Sequence, residues 1–85
     1  MRSFEYTVKD ALGLHARPAG MLVRLVQSLD DRIEIKKGEK TVNGTRLLSL
    51  MGLGIRCGDT VTVEIEGQSE AKSEALLLEF FEKNL

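Results

Sequence analysis

His15 is the only histidine in the chain and Pro18 the only proline, and both fall in the segment Gly13-Leu14-His15-Ala16-Arg17-Pro18-Ala19. Proline is tolerated in the first turn of a helix, where its missing N–H would lack an intrahelical partner anyway. Pro18 therefore marks a helix start. With His15 as the residue before that turn, the amides of Ala16 and Arg17 point outwards at the positive end of the helix dipole. Such an arrangement binds anions, and the Arg17 guanidinium can grip phosphate oxygens. A nucleophilic imidazole beside these donors suits phosphoryl transfer, which needs an in-line nucleophile and stabilisation of charge on three oxygens. His15 is thus the expected phosphoryl acceptor. Arg17 is expected to steady the group, and the backbone of Ala16 and Arg17 to bind its oxygens. A plainer reading makes His15 only the residue that begins a helix. The grouping His-x-Arg-Pro at a helix start favours the chemistry. A metal centre is not expected, because there is no second histidine and only one cysteine, Cys57. No cofactor is expected, and a hydrolytic triad would lack a pocket in so short a chain.

The elements that hold this segment follow from hydrophobic period. Phe4, Tyr6 and Val8 alternate with polar residues, which predicts a strand. Asp10 to Leu14 reads as a turn. From Ala16 to Ser28 the period becomes helical, with Ala19, Leu22, Val23, Val26 and Leu29 on the core face. Ile33 and Ile35 define a second strand, Lys37-Gly38-Glu39 a turn, and Lys40 to Asn43 a third strand. Thr45 is the expected N-cap of a short helix over Arg46 to Met51, stopped by Gly52 and Gly54. Val61, Val63 and Ile65 define a fourth strand. Ser69 is the expected cap of a last helix over Glu70 to Lys83. The order β-α-β-β-α-β-α with one apolar sheet face predicts an α+β fold. It is an open-faced β-sandwich in which a four-stranded antiparallel sheet carries three helices on one face. Glu5, Thr7, Glu34, Thr62 and Glu64 are expected on the side facing water.

The 85 residues are expected to form one domain, residues 1–85, with a surface site and no deep pocket. Twelve basic and thirteen acidic residues give a net charge of -1, which argues against nucleic acid or an anionic membrane as the main partner. The most apolar stretch, Leu47 to Ile55, is broken by Ser49, Gly52 and Gly54 and is too short to cross a membrane. With a single cysteine no internal disulfide can form, which fits a reducing, cytoplasmic setting, and a monomer is the default expectation. Cys57 itself lies in a predicted turn and is read as incidental.

A second helix stripe is made by Arg17, Gly20, Arg24 and Gln27, separate from the core stripe and running away from His15. It is expected to meet a partner protein. Gly20 costs a helix interior up to about 1 kcal/mol against alanine. Either a close partner or close helix packing inside the domain would explain it. Leu47, Leu48, Leu50 and Met51 make the short helix apolar nearly all round, so part of it must be exposed. Leu50 and Met51 are the two expected in the core. Arg24 and Arg46 would then rim an apolar centre.

On its Gly13 to Ala19 segment, the chain resembles the HPr family of histidine-containing phosphocarriers of the bacterial phosphoenolpyruvate-dependent sugar phosphotransferase system. The resemblance extends through Lys40-Thr41-Val42-Asn43, the stretch Leu47 to Ile55, and Gly58. It implies that His15 accepts a phosphoryl group on Nδ1 from enzyme I, giving a pros-phosphohistidine. It also implies that the group passes on to enzyme IIA domains of sugar transporters, and that the protein is a carrier, not an enzyme. Leu47 and Leu48 are, by the same resemblance, residues offered to partners. One departure stands out. The regulatory serine that HPr of low-GC Gram-positive bacteria carries just before the apolar pair is absent, and Arg46 occupies its position. A regulatory or nitrogen-type paralogue is therefore the alternative, acting through phosphorylation-dependent binding to proteins such as transcriptional regulators.

Overall fold

The computed structural model describes residues 1–85. Its elements are β1 (Arg2–Thr7), α1 (Ala16–Ser28), β2 (Arg32–Lys37), β3 (Lys40–Asn43), α2 (Leu47–Gly52), β4 (Thr60–Glu66) and α3 (Glu70–Asn84). The strands form one sheet in the order β1-β4-β2-β3, and every neighbouring pair is antiparallel. The fold is the predicted open-faced α+β sandwich.

Strand alternation decides which sheet face is covered. Ile33, Ile35, Val61, Val63 and Ile65 are buried, and Phe4, Tyr6 and Val42 pack on the same core. Registers Ile33↔Ile65 and Ile35↔Val63 place these branched side chains opposite each other across β2 and β4, where cross-strand packing stabilises a sheet. Leu22, Val23 and Val26 of α1 and Leu77, Phe80 and Phe81 of α3 close the core. Phe81 is its aromatic hub, with ring centroids 5.8 Å from Phe4, 5.4 Å from Tyr6 and 6.1 Å from Phe80. The other sheet face is polar. Glu5 and Thr7 are exposed there, whereas Glu34, Thr62 and Glu64 are half-buried by their neighbours.

One helix start differs from the predicted one, and a second is in the predicted place but capped by another residue. The cap of α2 is Arg46, not Thr45. The Thr45 amide and hydroxyl instead both donate to Asn43 Oδ1, at 2.9 and 2.7 Å. This local turn competes with capping, as short polar side chains commonly do. Ser69 does precede α3, but its hydroxyl makes no capping bond. Asp31 acts in its place. Its carboxylate accepts the Ser69 amide at 3.0 Å and the buried Ser73 hydroxyl at 2.8 Å.

Candidate functional site

Three contacts fix where the chain delivers His15 as it passes from β1 to α1. Val8 is buried, and its amide donates to the Asp59 carbonyl at 2.9 Å. Gly13 sits at φ +66, where a Cβ would come within 2.5 Å of the Ile55 carbonyl oxygen and 2.7 Å of Arg56 Cα. Glycine alone fits that approach. Leu14 then buries its side chain and donates its amide to the same Ile55 carbonyl at 3.1 Å. His15 follows in extended conformation, and its carbonyl accepts the Ala19 amide at 3.0 Å to begin α1.

His15 is the N-cap of α1, yet its half-exposed imidazole makes no capping bond. The ring is left available for chemistry. The amides of Ala16 and Arg17 have no backbone partner, and the first turn of α1 holds no acidic residue. Pro18 and Ala19 turn inward and are buried, while Arg17 is exposed. Beside the ring lies a shallow depression of about 210 Å³ lined by His15, Arg17, Pro18, Met21 and Asn84. The arrangement is a surface site with oriented donors, a cation and a free imidazole, suited to holding an anion next to a nucleophile.

The second stripe of α1 faces outward. Arg17, Arg24 and Gln27 are exposed, and Gly20 is half-buried. A Cβ at Gly20 would meet nothing within 4 Å, so packing inside the fold does not require glycine there. On α2, Leu47 is 40% exposed and Leu48 85%, whereas Leu50 is fully buried. Met51, expected in the core, is instead 39% exposed. A six-residue helix offers the core one narrow face, and Leu50 fills it. Arg17, Arg24 and Arg46 take part in no ion pair. The side-chain pairs are Arg2–Glu74, Arg32–Glu34, Lys36–Glu64 and Lys37–Asp59, on the sheet, on α3 and in the loop before β4.

The family model described as the PTS HPr component phosphorylation site matches residues 2–83, nearly the whole chain. The chain belongs to the HPr family. It is 39% identical over 77 residues to the phosphocarrier protein HPr of Lysinibacillus sphaericus, covering 89% of this chain and 88% of that one. It is 38% identical over 76 residues to the HPr-like protein Crh of Halalkalibacterium halodurans, covering 89% and 90%. The solved structure of HPr-C-His from Thermoanaerobacter tengcongensis superposes with a TM-score of 0.91 at 30% identity, covering 96% of this chain and 92% of that one. HPr proteins are phosphocarriers of the phosphotransferase system, not catalysts, and this chain shares that class.

Sequence reasoning located His15, Ala16 and Arg17 together, and the fold keeps them together. It missed Met21 and Asn84 as walls of the depression. Met21 carries a weak signal, lying one helical turn beyond Arg17 and Pro18. Asn84 carries none, because it reaches the depression from the last turn of α3.

Proposed function

We propose that this chain accepts a phosphoryl group on Nδ1 of His15 from enzyme I, itself charged by phosphoenolpyruvate, and passes it to the histidine of an enzyme IIA domain. Nδ1 attacks phosphorus in line, and the bond to the donor breaks as the new P–N bond forms. The Ala16 and Arg17 amides and the Arg17 guanidinium take up charge on the three oxygens. Transfer to enzyme IIA is the same displacement with His15 as the leaving group. The observation that carries this reading is the free imidazole of His15 at an open helix start in a member of the HPr family. Gly20, Arg24 and Gln27 of α1 with Leu47 and Leu48 of α2 form the docking face. There a rim of unpaired arginines around apolar side chains suits partners that are acidic around an apolar centre. The setting is the cytoplasm; no helix is long and apolar enough to cross a membrane. The test is incubation with enzyme I and phosphoenolpyruvate. The expected result is acid-labile phosphate with the phosphorus resonance of Nδ1-phosphohistidine, absent from His15→Ala. Stable label in His15→Ala would overturn the assignment.

A second reading makes the chain a regulatory paralogue, phosphorylated at the same histidine but acting by binding a regulator. The Crh relative, as similar as the phosphocarrier one, favours it. Labelling of His15 without onward transfer to any sugar-type enzyme IIA would decide for this second role.

A further inference from the structure

The depression beside His15 has one polar wall that the reading above does not use. Of its lining residues, Pro18 and Met21 offer no hydrogen-bond donor and Arg17 offers a cation. Asn84 supplies the only neutral amide. Its orientation is fixed, because Nδ2 donates to the Phe80 carbonyl oxygen at 3.1 Å. A carbonyl oxygen can only accept, so this bond determines which end of the amide is the NH₂. That NH₂ carries two hydrogens and spends one on Phe80, which leaves the other free. The turn that carries it is anchored in the core, since Phe80 and Phe81 are buried and Phe81 packs on Phe4 and Tyr6. Asn84 also borders a second cleft of about 460 Å³, where Lys9 and Lys83 stand with Asp10 and Glu82. The opposed charges there favour neither sign of ligand. An anion is favoured on the His15 side, where the Arg17 guanidinium stands with no carboxylate side chain in the lining.

We propose that Asn84, from α3, is a further donor to the phosphoryl group carried by His15. Its second Nδ2 hydrogen bonds a phosphoryl oxygen that the α1 amides and Arg17 leave unsatisfied. The phosphorylated chain is thereby tied from α1 to α3. This inference rests on His15 as the acceptor, and its test separates the two claims.

Phosphoramidate passes its phosphoryl group to an imidazole and releases ammonia, so the full ¹⁵N-labelled chain can be charged without any partner protein. On phosphorylation one Asn84 Nδ2 proton is expected to shift downfield while the other, held by Phe80, stays in place. In Asn84→Ala, the ratio of phosphorylated to free chain at a fixed phosphoramidate-to-ammonia ratio is expected to fall about tenfold, the effect of one charge-assisted hydrogen bond. Asn84→Asp, which sets a carboxylate beside the dianion, should fall further. The NMR measurement uses the unaltered chain, so it does not depend on either variant folding. Phosphorylated His15 with both Asn84 protons unmoved overturns this inference and leaves the acceptor assignment standing. Failure of phosphoramidate to label His15 overturns both.

Discussion

Helix α3 starts among carboxylates of the protein's own, whereas α1 starts with none. At α3, Asp31 accepts the Ser69 amide and the Ser73 hydroxyl, and Glu70 reaches back to the Gly67 amide at 3.0 Å. At α1, the amides of Ala16 and Arg17 are unpaired and no acidic residue lies in the first turn. Both ends carry the same positive dipole. One end is stabilised from within and contributes to the fold. The other is left without an anion and is therefore able to receive one. A helix start can be closed by the protein's own carboxylates, as at α3, or left open, as at α1.

The comparison is broken most severely by giving α1 what α3 already has. Ala16→Asp sets a carboxylate at the open end, where it is expected to raise stability by roughly 0.5 kcal/mol. It should also slow phosphorylation by enzyme I about a hundredfold by occupying and repelling the phosphoryl site. Thermal unfolding and rapid-quench labelling on the same sample check the opposed signs. The reverse change is Asp31→Ala, which strips α3 of its inner carboxylate and leaves the buried Ser73 hydroxyl unpaired. It is expected to lower the melting temperature and leave the rate of His15 labelling per folded molecule unchanged. A labelling rate that fell along with the melting temperature would mean that the two helix starts are coupled.

Acid sharpens the contrast by a smaller amount. Asp31 is held below the usual carboxylate range chiefly by the Ser69 amide, against opposing desolvation and with help from Ser73. Glu70 is held down chiefly by the Gly67 amide. Asp59, in the loop before β4, is held down chiefly by Lys37 and then by the Arg56 amide. Each group binds its proton less readily folded than unfolded, so its contribution is fully present above about pH 4.5. That contribution is lost as pH falls through the lowered folded values. Denaturant titrations at pH 6 and pH 3 are expected to show the lower stability at pH 3. The drop should be smaller in Asp31→Ala, which has already lost one of the three groups.

The parts of the molecule legible in the sequence are those set by local chemistry. The alternation of Val61, Val63 and Ile65 and the helical spacing of Leu22, Val23 and Val26 report their own burial. His15, Arg17 and Pro18 announce a helix start because all three requirements lie within one turn. Elsewhere local rules competed or ran out. Thr45 has the side chain of a cap but also has Asn43 two residues away, and the tighter local turn prevailed. Met51 is as apolar as Leu50, and only the width of the face that α2 presents to the core separates them. Capping by Asp31 and the wall formed by Asn84 depend on residues brought together by the sheet, and no window of sequence contains both sides of either contact.

The sheet order gives the His15 loop a place in time as well as in space. The strand before it, β1, pairs only with β4, and Leu14 finds its carbonyl partner at Ile55. Both supports are encoded in the second half of the chain, and closing so long a loop comes late and at an entropic cost. A nascent chain leaving the ribosome would therefore display the histidine early but hold it in place only after β4 has emerged. Under the proposed function, phosphoryl acceptance at His15 would thus report that β1 and β4 have paired.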